Sequence, residues 1–139
     1  MIADTTPART FTCTPVAVYD ADGPIWCKEG PRLRIAGAAA RETDGTCRPG
    51  HPCPAMPPEQ ARAVTIRMMG ARVTGRLRTG HLTVTAPPML CTWRGTSGKR
   101  TVASRLAGGR DLGCAIIRAG AAADWPVWRE RYGMEGCRG

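Results

Sequence analysis

Asp20 and Asp22 stand about a dozen residues ahead of Arg34, and Glu42 follows that arginine. With Arg100 much further along, these residue types supply the parts of a metal-assisted phosphodiester hydrolysis. Carboxylate oxygens hold a hard divalent cation. The cation and two guanidinium forks neutralise charge building on the phosphoryl oxygens, and a further carboxylate orients or deprotonates the attacking water. Each residue also has an ordinary use. Aspartate is favoured in turns for backbone hydrogen bonding alone. Arg34 reads equally as a solvated strand residue, Glu42 as a counter-charge to Arg41 or Arg34, and Arg100 as part of a polar loop tip. Only their joint occurrence points to an anion site.

Strands and turns must bring these groups together. Thr12–Tyr19 reads as a strand ending at the turn Asp20–Gly23, with Ile25–Lys28 and Arg32–Ala36 completing a three-stranded meander. Residues 43–58 are crowded with Gly, Pro and Cys and read as a loop. Glu59–Met69 follows Pro57–Pro58 and precedes Gly70, the punctuation of a helix. Short strands follow at Val73–Leu77, Leu82–Thr85, Leu90–Trp93 and Thr101–Leu106. Asp111 caps a helix to Arg118 that Gly120 ends, and Trp125–Tyr132 forms a last short helix. Many short strands with one helix inserted and two at the end predict a small closed barrel.

At 139 residues the chain holds one core. The expected division is a flexible N-terminal segment over 1–10, a domain over 11–133 and a tail over 134–139. The net charge is +9, and Lys28 and Lys99 are the only lysines. Arginine suits bidentate phosphate contacts, so nucleic acid, DNA or RNA, is the expected partner, although a GC-rich genome would also favour arginine. No apolar run approaches the ~18 residues that cross a bilayer, and no membrane partner is expected. Met1–Thr10 is polar, contains Pro7 and reads as neither signal peptide nor anchor. The seven cysteines fit an oxidising compartment. The expected location is therefore secreted or periplasmic after removal of a leader, and cytoplasmic otherwise.

The order Val18–Tyr19–Asp20–Ala21–Asp22, Leu33–Arg34–Ile35–Ala36–Gly37 with Glu42, Lys99–Arg100–Thr101–Val102–Ala103, then Gly109–Arg110–Asp111–Leu112 with Ile117–Arg118–Ala119–Gly120 resembles the staphylococcal nuclease-like (thermonuclease) family. The likeness runs from about Val16 to Tyr132. It implies an α+β, mainly β fold, a five-stranded OB-fold barrel with about three helices, carrying a calcium-dependent phosphodiesterase site. On that likeness Asp22 is a calcium ligand, Arg34 and Arg100 grip the scissile phosphate, and Glu42 handles the water.

The chain departs from the family pattern at several places. The second calcium aspartate falls on Ala39, and the proline before the glutamate on Arg41. Ala21 and Gly23 replace the glycine and threonine flanking Asp22, Lys99 replaces a glycine, and the stretch 77–95 is long. Calcium affinity is expected to fall by about an order of magnitude or more, since it follows ligand charge count. Asp20 and Asp44 are the candidate substitute ligands. The expected function is a weakened calcium-dependent nuclease. The alternative is a catalytically inactive OB-fold module that binds nucleic acid or another protein.

Other groups carry secondary expectations. Arg94, Lys99 and Arg105 beside Trp93 form a candidate nucleic-acid backbone patch. Cys47 and Cys53 are spaced to staple the 43–58 loop by a disulfide; with His51 they offer zinc only three ligands. Cys13 and Cys27 are a second candidate pair, and the partners of Cys91, Cys114 and Cys137 are not readable from sequence. Trp125 and Trp128 serve either to stack on bases or, as favoured here, to pack the last helix on the barrel.

Overall fold

The computed structural model of the protein describes residues 9–107, 110–134, 136 and 137; the side chains of residues 105–107 and 110 lie outside that description. The fold is α+β and mainly β. Strands β1 (Thr10–Cys13), β2 (Pro15–Asp20), β3 (Gly23–Cys27), β4 (Arg32–Ile35) and β5 (Ala38–Ala39) precede helix α1 (Pro58–Met68). Then come β6 (Arg72–Arg76), β7 (Leu82–Thr85), β8 (Met89–Ser97), β9 (Arg100–Ala107) and β10 (Arg110–Asp111). Helix α2 (Leu112–Arg118), β11 (Ala123–Asp124) and helix α3 (Pro126–Arg131) complete the order.

The main sheet runs β1-β8-β9-β4-β3-β2-β7-β6, with β10 on β9, so it holds more strands than the five expected. Only Thr14 separates β1 from β2, yet β8 pairs with the first and β7 with the second. The path therefore curls into a barrel-like shell. The expected meander is present as β2-β3-β4. One pairing is parallel: β4 lies beside β9 with Leu33 opposite Thr101 and Arg34 opposite Val102. The inside is filled by Val18, Ile25, Leu33, Met89 and Cys91, and closed by Val64 and Ile66 of α1 and Ile116 of α2.

Local chemistry explains the helix limits. In α1 proline occupies the first turn, Glu59 stands near the N-terminus and Arg67 in the last turn, favourable ends for the helix dipole. Gly70, at φ +70°, lets the chain leave the helix. Asp111 caps α2 by accepting from the Cys114 amide at 3.0 Å.

Three disulfides join Cys13 to Cys27, Cys47 to Cys53 and Cys114 to Cys137. The first links β1 to β3, the second staples the 43–58 loop as expected, and the third ties the tail to α2. Bridges of this kind persist in oxidising compartments. Cys91 is fully buried, its Sγ 3.9 Å from the Met89 carbonyl oxygen. Among the described residues no helix is long and apolar enough to cross a membrane.

The turn carrying the two aspartates depends on Gly23. Its φ of +112° is one that L side chains rarely adopt, and a Cβ there would run into the Leu33 carbonyl oxygen. Gly23→Ala is expected to destabilise the protein by at least about 2 kcal/mol, from strain and overpacking together. Urea unfolding midpoints measure it; an unchanged midpoint would show that this turn does not require the left-handed conformation.

Candidate functional site

Two elements, β4 and α1, hold the acid-bearing turn from outside. The Ile35 amide donates to the Asp22 carbonyl at 2.9 Å, the Thr65 hydroxyl to the Ala21 carbonyl at 2.8 Å, and an Arg62 Nη1 to the carbonyls of Tyr19 and Gly80, each at 3.0 Å. With β4 and α1 both strapped to it, the turn presents Asp20 and Asp22 in fixed positions. Both are buried, at 8% and 9% exposure.

Arg34, on β4, places an Nη2 3.5 Å from an Oδ2 of Asp22, and the Ala40 amide reaches the same oxygen at 3.4 Å. Burial raises the Asp22 carboxyl above its ordinary value, with Arg34 opposing. Burial also pushes Asp20 up to about 7, the charges of Asp22 and Glu42 adding to it and those of Arg62 and Arg100 opposing. Asp20 thus lies within electrostatic reach of Asp22, Glu42, Arg62 and Arg100, and Asp22 within reach of Arg34 and Glu42. Arg100 stands at the start of β9, one residue before the Leu33–Thr101 pairing.

Glu42 is half-buried and ion-paired with Arg48 at 3.1 Å. Arg41, in place of the family's proline, donates from Nε to the Pro54 carbonyl at 2.7 Å and from Nη1 to the Gly45 carbonyl at 2.6 Å. It anchors the stapled loop that carries Arg48 and His51. Asp44 is exposed and spends its carboxylate on Thr46, whose hydrogen bonds lower its pKa. Of the two candidate substitute ligands, Asp20 is the one in the cluster.

Ala39 lies in β5, paired with Ala123 of β11, and is 1% exposed. Both Ala38 and Ala39 are buried, and strand alternation turns their methyls to opposite faces of β5, that of Ala38 into the main core cluster. Among the described residues no three His, Cys, Asp or Glu side chains gather to cage an ion. Asp20 and Asp22 nevertheless offer hard oxygen donors whose burial penalty a nearby cation would relieve. That donor set fits a hard divalent cation completed by backbone carbonyls and water, held loosely for want of a third carboxylate.

The secondary expectations sort as follows. Arg94 donates from Nε to the Ser104 hydroxyl at 3.1 Å and from Nη1 toward the Tyr132 carbonyl at 3.5 Å, so it ties β8 to β9 and to the end of α3. Lys99 is exposed in the β8–β9 turn, and the side chain of Arg105 lies outside the described residues. Cys47 and Cys53 bond to each other, which takes both away from zinc, and the His51 ring lies 4.5 Å from Trp125. Trp125 and Trp128 are half-buried rather than part of the apolar core. With Arg34, Arg48, His51 and Tyr132 they line a recess of about 250 Å³.

Sequence reasoning passed over Arg62 and His81. Arg62 is 6% exposed on the inward face of α1, beside Asp20. Its spacing from Thr65 and Met69, three and seven residues on, was the available signal for an inward position. His81 carried none, because its neighbours Tyr19 and Trp26 come from distant strands.

No protein-family model matches the chain, and no curated protein matches it.

Proposed function

We propose that the chain is a thermonuclease-like domain that hydrolyses nucleic-acid phosphodiesters weakly, with calcium. The observation that supports this reading is the placing of Asp22, Glu42 and Arg100 around Asp20, with Arg34 of β4 beside Asp22. The sheet supports an OB-fold reading: β1 with β2 counts as one bent strand and β7 with β8 as another. The barrel order then becomes first, second, third, fifth, fourth, with the third and fifth parallel and α1 between third and fourth. The three disulfides favour a secreted or periplasmic protein.

In this reading Asp20 and Asp22 hold the ion, and bound calcium supplies Lewis-acid stabilisation of the phosphoryl oxygens. Arg34 and Arg100 donate to the same phosphate as its charge grows. Glu42 accepts a proton from the attacking water, for which its carboxylate must leave Arg48. A bound phosphate competes for Arg48 and Arg34 and frees both Glu42 and Asp22.

A nuclease assay with calcium against chelator tests the proposal, on single-stranded DNA and RNA. Cleavage that requires calcium is expected, and Ala39→Asp is expected to raise calcium affinity and rate by about tenfold. If that substitution changes neither, Ala39 does not stand at the missing ligand position. One observation favours a second reading, a module that binds nucleic acid without cutting it: Glu42 and Asp22 are already neutralised by Arg48 and Arg34. Salt-sensitive binding without turnover is its signature.

A further inference from the structure

A second recess, of about 400 Å³, opens on the Arg100 side of the acid cluster. Tyr19, Trp26 and His81 line it together with Arg32, Lys99 and Arg100. The His81 ring stacks obliquely on both aromatics, with centroids 4.8 Å from Tyr19 and 4.2 Å from Trp26. The Arg32 guanidinium lies over the Trp26 ring at 4.7 Å. Burial lowers the His81 pKa, with Arg32 and Arg62 adding to it, so the ring is neutral at physiological pH. Its Nε2 is buried without a hydrogen-bond partner among the described residues.

The electrostatics of this recess are one-sided. Three cations line it and no acid does, and among the described residues neither Arg32 nor Lys99 forms a salt bridge. Like charges gathered in a concavity raise the local potential and favour an anion there. The aromatic floor adds a preference for a flat ring.

Register links the recess to the proposed cleavage site. Arg32 is directly opposite Trp26 across the β3–β4 pair, so their side chains share a face. Arg32 and Arg34 are two residues apart on β4 and so share that face as well, about 7 Å apart along the strand. That separation suits successive phosphates of one extended polynucleotide.

We infer that this recess is a nucleotide subsite: it takes the phosphate and base of the unit next to the scissile phosphate, the phosphate on Arg32 and Lys99 and the base against Trp26. The inference rests on the nucleic-acid reading above and adds to it a strand path from Arg34 past Arg32. A strand that fills both places is gripped on either side of the scissile bond, so a longer oligonucleotide binds better than a single nucleotide.

Two ligands separate this subsite from the central site: a labelled single-stranded octanucleotide, followed by fluorescence anisotropy, and a nucleoside 5′-monophosphate, with its single phosphate, as competitor. Arg32→Gln and Trp26→Leu are each expected to weaken octanucleotide binding by about tenfold while leaving monophosphate binding unchanged. Arg32→Gln should also flatten the dependence of log K on log salt by about 0.7. Arg32 is exposed, so its replacement does not threaten the fold even if Trp26→Leu does. Equal losses for both ligands, no loss for either, or an octanucleotide no tighter than the monophosphate would overturn the subsite and leave the proposed function standing. If the unaltered protein binds neither ligand, in chelator or with calcium, the proposed function fails and the subsite with it.

Discussion

On the proposed function, Arg34→Ala is expected to lower phosphodiester turnover by at least about a hundredfold at saturating calcium, the usual cost of removing one preorganised donor to a developing oxyanion. Arg34 stands where two needs meet: its Nη2 is 3.5 Å from Asp22, and its guanidinium also lines the aromatic recess, 5.8 Å from the Trp125 ring. Truncation therefore also leaves the buried Asp22 without its cation, and some loss of stability accompanies the loss of rate. Arg34→Lys separates the two effects. It keeps a positive charge near Asp22 but loses the planar fork, so stability recovers more than turnover does. Initial rates on a labelled oligonucleotide, with melting temperatures measured alongside, provide the comparison. A rate within about twofold of the unaltered protein would remove Arg34 from the chemistry.

The second large effect concerns Asp20. The folded protein holds its carboxyl up to about 7, against 3.8 for an ordinary aspartate. The unfolded chain thus releases this proton near pH 4, whereas the folded chain keeps it until about pH 7. Over that interval the unfolded state binds fewer protons, so stability falls as pH rises and levels off above the folded value. Asp20→Asn removes the penalty. Its melting temperature should match that of the unaltered protein at about pH 4 and exceed it by about 3 °C or more at about pH 8. Calcium should narrow the gap in the unaltered protein at the higher pH, because a bound cation favours the ionised carboxylate. Parallel melting curves across the whole range would show that Asp20 is not held in its protonated form.

Much of the framework was legible where residue type alone forces a local conformation. Pro57–Pro58 and Gly70 bracketed α1, Asp111 and Gly120 bracketed α2, and the turn at Asp20–Gly23 marked the first hairpin. The extent of β8, which continues to Ser97, was underestimated: Arg94, Gly95 and Thr96 have no apolar alternation to signal a strand, and their pairing with β9 supplies the order instead. The bridge between β5 and β11 is two residues on each side, too short for a period to register. The link of Cys114 to Cys137 was unreadable because spacing does not determine connectivity.

The site divided along the same line. Asp22, Arg34, Glu42 and Arg100 could be named because their order along the chain is distinctive. His81 meets Tyr19 and Trp26, and Arg62 meets the carbonyls of Tyr19 and Gly80, through folding that no short window of sequence contains. Arg94 looked like a surface cation and is instead a fastener between β8, β9 and the end of α3.

The parallel contact of β4 with β9 has a consequence for how the protein comes into being. β4 and β9 can pair only once β5 through β8 have been synthesised between them, and hairpins formed earlier cannot substitute for that union. Slow, nonlocal zippering of this sort delays the last step of maturation. The proposed site is therefore complete only when β9 docks, and a chain interrupted before β9 would lack it.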